Sequence, residues 1–532
     1  MNINLSKFPL LNLFALLVMA AVIIAPNNLS DFEWRIFLAL PIELLLLGLG
    51  LLLPGRVGYG FRILVATLLA AGVILKIADM AVFKIFARPF NPVLDAFFIT
   101  NGMNLLTGAL GYVRAILVAL LLIVAVVGII AFCFWLTGRT QTLLCFSPRK
   151  SAAVLLMGIV VWSAMTIAEV PGAARSFYNQ LTEHITSTYY TYAELKNFKQ
   201  ELEVDHVLAK TPVDNLFNKL KGKDVLIIFI ESYGRAVLDQ PEFAQHVRPA
   251  LQKGSEDLAA SGLGVRSAFL SSSTLGGLSW LAHGTALSGL WINSQERYNS
   301  LIMSQRPSIN RLFKNAGWRT VAVMPAITKA WPEGDYFGYQ QIYTANNLGY
   351  KGLPFNWVTM PDQYTLSAFQ HLERKPGHVP VMAEIALISS HAPWTPTPTL
   401  VDWNEVGDGS IFNSQATAGD TPEFIWQDTG RIRTQFRKSI EYALADLVSY
   451  AVTYGDENLV IIAFGDHQPA PLVTGDNENR DVPIHLIARD PKILESVSGW
   501  NWTQGMLPAN DAPVWRMDEL RPRLIETFSK TD

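Results

Sequence analysis

Three short polar clusters follow apolar runs in this chain, and their residue types are those of a cation site. The run Asp224-Val-Leu-Ile-Ile-Phe-Ile ends in the carboxylate of Glu231, followed by Ser232. Ala386-Leu-Ile-Ser-Ser ends in the imidazole of His391, and Val460-Ile-Ile-Ala-Phe-Gly465 ends in Asp466 and His467. Two carboxylates and an imidazole suit a borderline divalent cation such as zinc or manganese. A single histidine after a strand is ordinarily a hydrogen-bonded loop residue, so the joint occurrence carries the argument. Ligands of open α/β sheets bind beyond the carboxyl ends of the strands. Glu231, His391, Asp466 and His467 are therefore expected to converge although they are far apart along the chain.

A hydroxyl held on such a cation is activated, because the cation lowers its pKa and makes an alkoxide available at neutral pH. The candidates lie in Ser271-Ser272-Ser273-Thr274-Leu-Gly-Gly-Leu-Ser279-Trp280, which follows the short apolar stretch Ala268–Leu270. The residue types leave Ser272, Ser273 and Thr274 as open alternatives. Ser279 heads the helix-forming segment Ser279–Leu290 and reads as its N-cap. A helix N-terminus at this place also favours a bound phosphate.

The elements that would position these groups are short apolar runs alternating with helix-sized polar segments. Val225–Ile230, Thr320–Met324, Val381–Ile388 and Leu459–Phe464 read as strands buried on both faces, hence as a largely parallel sheet covered by helices. The stretch Asp402–Thr421, rich in Gly, Asp, Asn and Thr, reads as a long surface loop.

Ahead of this region the chain is of another kind. It has 532 residues, a net charge of −3 and 50% hydrophobic residues, and its mean hydropathy is positive. This is the signature of a very apolar part joined to an ordinary polar one. Apolar runs near Phe8–Ala25, Trp34–Leu53, Phe61–Val82, Val113–Leu136 and Ala152–Ala168 approach the roughly 20 residues that cross a bilayer. Arg56, Arg62, Arg139, Arg149 and Lys150 lie in the second and fourth connections, which places the N-terminus in the cytoplasm and the C-terminal domain outside. Glu43, Lys76 and Asp79 are ionisable groups in or near these runs; Lys76 and Asp79, three apart, are expected to pair on one helix face. Phe83–Leu110, with Pro89 and Pro92, reads as interfacial or re-entrant. His184 and His206 read as surface histidines. The expected organisation is a transmembrane domain over 1–168, connector helices at the membrane surface over 169–223 and an extracytoplasmic catalytic domain over 224–532. Both cysteines, Cys133 and Cys145, fall in the apolar part, so the C-terminal domain has neither a disulfide nor a thiol ligand. With no basic stripe, nucleic acid is not an expected partner.

The motifs Ile230-Glu231-Ser232, Ser390-His391-Ala-Pro-Trp394 and Phe464-Gly-Asp466-His467-Gln-Pro469, with the Thr274 region, resemble the sulfatase-like branch of the alkaline phosphatase superfamily. The layout resembles lipoteichoic acid synthases and related phosphoglycerol transferases, and more distantly lipid A phosphoethanolamine transferases. The resemblance implies that Glu231, Thr274, Asp466 and His467 hold one divalent metal ion, manganese or zinc, with magnesium as a further candidate. It implies Thr274 as nucleophile and His391 as the residue that contacts phosphate or protonates a leaving oxygen. Ser273, Trp331, Glu333 and Trp394 are then the implied substrate contacts. Trp331 is kept from the family's pattern, but Glu333 stands where an arginine is usual and a neighbouring histidine is missing. That exchange disfavours an anionic phosphoglycerol and favours an ammonium group, whereas the cysteine-free domain is unlike the disulfide-rich lipid A enzymes. The motif Cys/Ser-x-Pro-x-Arg of classical sulfatases is not matched.

The expected function is transfer of a phosphoglycerol or phosphoethanolamine head group from a membrane phospholipid donor to an envelope glycan or lipid-linked acceptor, through a threonine ester. The alternative is a phosphodiesterase, phosphatase or sulfatase-like hydrolase using the same site. The expected location is a bacterial inner membrane, with the catalytic domain on the periplasmic or extracellular side.

Overall fold

The computed structural model describes residues 8–28, 32–86, 89–95, 102–103, 106–107, 110–168, 172–174, 176–475 and 478–529. The chain divides into two compact units, residues 1–84 with 88–194, and residues 195–532 with 85–87.

The first unit is built from apolar helices α1 (Phe8–Ile24), α2 (Ile42–Leu51), α3 (Gly55–Phe86), α4 (Tyr112–Phe146) and α5 (Pro148–Ile167), followed by the more polar α6 (Ser176–Glu203). Among the described residues three helices are long and apolar enough to cross a membrane: Gly55–Lys84, Tyr112–Phe146 and Pro148–Ile167. The expected second span, Trp34–Leu53, is not one continuous helix. Trp34–Leu38 forms a 3-10 turn, Leu40–Pro41 pairs with Ala173–Ala174, and only the 10 residues of α2 are α-helical. Pro41 is the cause: it lacks an N–H, and it stands as the extended residue before α2. Ten residues rise about 15 Å, half the hydrocarbon thickness.

Lys76 and Asp79 do not simply satisfy each other. Lys76 Nζ donates to the carbonyls of Val22 (3.0 Å), Ile23 (2.9 Å) and Ala25 (2.5 Å), closing the C-terminal end of α1. Asp79 accepts from Asn27 (3.2 Å) and Gln180 (3.4 Å) and meets His184 Nε2 at 3.0 Å. His184 is therefore a partner inside this unit rather than a free surface group. Much of the expected re-entrant stretch Phe83–Leu110 lies outside the described residues.

The second unit is organised on a nine-stranded sheet. Its strands are β1 (Asp224–Ile230), β2 (Gly264–Ser271), β3 (Arg319–Met324), β4 (Gln341–Thr344), β5 (Val381–Leu387), β6 (Leu459–Gly465), β7 (Asp481–Ala488), β8 (Thr503–Gln504) and β9 (Val514–Arg516). The order is β8-β2-β7-β6-β1-β5-β3-β4, with β9 also on β2. Strands β6, β1, β5, β3 and β4 run parallel; β7 is antiparallel to both β6 and β2. Every residue of β1 and of β6 is buried. Since successive side chains point to opposite faces, both faces of the sheet are covered. Helices α7 (Pro241–Ala260), α8 (Ser279–Ser288), α9 (Asp362–Glu373) and α10 (Thr429–Tyr454) supply that cover, and α7 packs against α10. The expected loop Asp402–Thr421 is more built than its composition indicates, with two 3-10 turns and buried Trp403, Val406 and Phe412.

Candidate metal centre and nucleophile

β5, β1 and β6 are neighbours at the middle of the sheet. Their register aligns Ile230 with Leu387 on one side and with Gly465 on the other, so the residues that follow leave the sheet at one level. Backbone bonds tie this edge together: Glu231 N–H donates to Leu387 (3.1 Å) and Asp466 N–H to Ile230 (3.3 Å). Gly465 permits the approach, because a Cβ there would fall 2.0 Å from the Tyr233 carbonyl oxygen.

The result is one compact group. A ligand atom from each of Glu231, Asp466 and His467 lies within 4.8 Å of the other two. Asp466 Oδ1 accepts from the N–H groups of Ser232 (2.8 Å) and His467 (2.7 Å), and Oδ2 lies 3.6 Å from His467 Nε2. His467 Nδ1 is 2.8 Å from the Gln468 carbonyl. A carbonyl only accepts, so Nδ1 carries the proton and Nε2 offers its lone pair, 3.5 Å from Glu231 Oε1. Burial raises the Asp466 carboxyl and the charge of Glu231 raises it further, to about 6, with His467 opposing. Glu231 is raised by burial too, but His467, His391 and hydrogen bonds from Ser232 and Ser279 bring it below its ordinary value. Burial lowers the His467 imidazole, whereas Asp466 and Glu231 more than reverse this. Two crowded carboxylates facing one imidazole lone pair fit a divalent cation, which would relieve their repulsion.

Two side-chain hydroxyls meet this group: that of Ser232, which donates to Glu231 Oε1 (2.7 Å), and that of Ser279. Ser279 Oγ donates to Glu231 Oε2 (3.1 Å) and lies 3.2 Å from His467 Nε2. Ser279 is not an N-cap: the residue before α8 is Leu278, whose side chain caps nothing. The chain reverses through Gly276, Gly277 and Leu278, with φ of 75°, 146° and 65°. Glycine tolerates these angles and leucine does not, so Leu278 holds local strain immediately ahead of the Ser279 hydroxyl. β2 ends at the same edge as β6, and Ser272 Oγ donates to the Asp466 carbonyl (2.5 Å), which anchors the start of this turn.

The other residues singled out from sequence divide sharply. Thr274 is buried, and among the described residues its Oγ1 makes no hydrogen bond. Ser273 Oγ accepts from Thr285 (2.8 Å) and so supports α8 from within the domain. Trp394 is buried and donates to the Ser390 carbonyl (2.8 Å), while Ser390 Oγ donates to the Glu231 carbonyl (2.6 Å); it braces the loop rather than lining the cavity. His391 lines a cavity of about 280 Å³ together with Glu231, Ser279, Asp466 and Trp331. Glu333 stands outside that lining, but its charge adds to burial in raising the hydroxyl of Tyr298, which is part of it.

An imidazole–carboxylate pair in the lining, His283 and Glu384, escaped the sequence reading. His283 lies one helical turn after Ser279, and its Nδ1 is 2.7 Å from Oε1 of the buried Glu384. Glu384 Oε2 in turn accepts from Asn310 (3.2 Å) and from the Tyr339 hydroxyl. The signals were present: a histidine at i+4 from a serine, and a carboxylate within the otherwise apolar β5.

Residues 223–484 match the family model described as Sulfatase. No curated protein matches the chain. Similar solved structures include the integral membrane lipooligosaccharide phosphoethanolamine transferase A of Neisseria meningitidis, at 12% identity over 98% of this chain and 95% of that one, with TM-score 0.47. The lipoteichoic acid synthase LtaP of Listeria monocytogenes is 13% identical over 64% of this chain and 78% of its own, with TM-score 0.39. The phosphoglycerol transferase GacH of Streptococcus pyogenes, solved with sn-glycerol-1-phosphate, is 13% identical over 63% and 81%, with TM-score 0.39. With its mixed, mostly parallel sheet and the acid–imidazole group on its central edge, the segment 223–484 is a domain of the sulfatase family, carried on a chain with membrane-length apolar helices.

Proposed function

We propose that the protein is a membrane-bound, metal-dependent transferase that moves a phosphoryl-linked head group from a phospholipid to a hydroxyl acceptor, with Ser279 as nucleophile. The observation that carries this reading is the Ser279 hydroxyl, seated on Glu231 and His467 at the first turn of α8. Glu231, Asp466 and His467 are the residues that would hold the cation, manganese or zinc by donor type, with magnesium the oxygen-preferring alternative. When bound, it would supply Lewis-acid stabilisation and a lowered pKa for the serine hydroxyl. The chain's own residues do the rest. Leu278 and the two glycines aim Ser279; the N-terminus of α8 favours the phosphoryl oxygens; His391, on the exposed side of the cavity, serves proton transfer at the leaving and entering oxygens. Ser279 Oγ bonds to phosphorus as the bond to diacylglycerol breaks, and the acceptor hydroxyl then displaces the serine. Apolar helices keep the chain where such a donor resides, and we place the domain from residue 224 onward on the extracytoplasmic side.

Thr274 is the nucleophile implied by resemblance, and its buried hydroxyl, which has no protein hydrogen-bond partner among the described residues, is the second candidate. Incubation with head-group-labelled phosphatidylglycerol or phosphatidylethanolamine, followed by peptide mass analysis, tests this. Label on the Ser279 peptide, lost in Ser279→Ala and kept in Thr274→Ala, is expected; the reverse pattern overturns it. A sulfate-ester hydrolase is the second reading, favoured by the family match alone, and turnover of aryl sulfate with no phosphodiester turnover would select it.

A further inference from the structure

We propose that His283, held by Glu384, reads the group carried on phosphorus and selects a short head group ending in a hydrogen-bond donor. This rests on the transferase reading of the same site.

The argument begins with the tautomer. Glu384 is 1% exposed, and its two oxygens are engaged by His283, Asn310 and Tyr339. A carboxylate only accepts, so His283 Nδ1 carries the proton. In the neutral imidazole Nε2 is then an acceptor, available to whatever fills the cavity. The ring cannot turn away, because it stacks on Phe229 at 3.6 Å between centroids and 12° between planes. Glu384 sits three residues back from the end of β5, in register with Ile227, so the dyad lies on the sheet side of the metal group.

The surroundings narrow the ligand further. The cavity, about 280 Å³, has room for a few heavy atoms beyond a phosphoryl group, and no lysine or arginine is among the described residues lining it. Its walls include the aromatic residues Trp280, Tyr298, Trp331 and Phe337. A second anionic group would meet Glu384 with no compensating cation, whereas an ammonium or hydroxyl meets an imidazole acceptor, aromatic faces and the nearby carboxylate. The ammonium gains from both and ranks first. A trimethylated ammonium keeps the charge but has no N–H to give.

The test uses the full-length protein and four 4-nitrophenyl phosphodiesters, whose second ester group is 2-aminoethyl, 2,3-dihydroxypropyl, 2-(trimethylammonio)ethyl or ethyl. Nitrophenolate release reports the step in which Ser279 Oγ bonds to phosphorus and the P–O bond to nitrophenolate breaks; water then frees the serine. In the wild type kcat/KM for the aminoethyl ester exceeds that for the ethyl ester by about thirtyfold or more, as one donor–acceptor pair in a buried site provides, with the dihydroxypropyl ester between. His283→Phe keeps the stack on Phe229 and removes the acceptor, so this ratio falls to about threefold or less. Glu384→Gln is the sharper variant. Its amide oxygen serves Asn310 and Tyr339, its NH2 faces Nδ1, and the proton moves to Nε2, which turns the acceptor into a donor. The aminoethyl preference then disappears although the histidine remains. Because each ratio is taken within one variant, general loss of folded protein does not alter it. A ratio that stays at the wild-type value in both variants overturns the proposal, as does a trimethylammonio ester that equals the aminoethyl ester. If the wild type releases nitrophenolate from none of the esters, the transferase reading falls, and the inference is decided by binding alone. Quenching of Trp280 and Trp331 fluorescence by 2-aminoethyl phosphate against ethyl phosphate must then show the same ratio and the same loss in the variants.

Discussion

Ser279 and Thr274 are five residues apart, and residue type does not separate them. What separates them is the left-handed turn at Gly276–Leu278, which sends one hydroxyl to Glu231 and buries the other. A buried hydroxyl without a partner costs stability, so Thr274→Val should be neutral or stabilising by about 1 kcal/mol in thermal unfolding and should leave cation binding intact. Were Thr274 a ligand, the same change would weaken the cation measurably in titration calorimetry. The acid–imidazole group, by contrast, was legible from sequence, because each member directly ends an apolar strand and a parallel sheet brings such ends together. His283 and Glu384 were not legible, because their meaning is a 2.7 Å contact between a helix and a strand interior.

The elements read most easily were the strands buried on both faces, since a short, continuous apolar run bounded by polar segments suits a covered parallel strand well. β7 was missed: Pro483 and His485 interrupt its pattern, yet His485 is fully buried, bonded to Ser267 (2.8 Å) and Tyr233 (3.1 Å) and pushed down to about 3 by burial. Trp34–Leu53 was over-read, because its hydropathy conceals the break at Pro41. Helix α9 carries a prediction of its own. Asp362 Oδ1 accepts from Ile388 (2.7 Å) and Ser389 (3.0 Å), while Oδ2 has no hydrogen-bond partner among the described residues. Burial pushes this carboxyl up to about 7; the Glu231 charge adds to the rise and the loop's hydrogen bonds oppose it. Asp446, beside it, is raised well above its ordinary value by burial and by Asp362. The folded state thus holds the Asp362 proton more tightly than the unfolded chain does. The associated stability is complete below about pH 4 and is lost as pH rises through 7. Asp362→Asn keeps the acceptor for the loop and removes the charge. It should stabilise the fold at pH 8 by about 2–4 kcal/mol, read as a higher unfolding temperature, and make little difference at pH 4. An equal effect at both values would place the cause in packing instead.

At the scale of the whole molecule, a chain with membrane-length helices also carries an enzyme-family domain without a single cysteine. No disulfide cross-links its sheet, so a cation at Glu231, Asp466 and His467 is the available cross-link between β1 and β6. Chelation of the full-length protein should therefore lower the unfolding temperature of the sheet-bearing unit and leave the helical unit unchanged. Saturation at a hundredfold above Kd corresponds to about 2.7 kcal/mol, and Asp466→Asn should abolish the difference between chelated and loaded protein. That arrangement has a consequence for how the protein comes into being. Ser232 and Asp466, which hold the centre in shape, are 234 residues apart, so no fragment of the growing chain can present the full set of donors. Capture of a cation there would come late in maturation, after β1 and β6 have paired. Which ion such a centre would carry is then settled by the compartment in which folding finishes and by what that compartment supplies, as much as by the selectivity of three side chains.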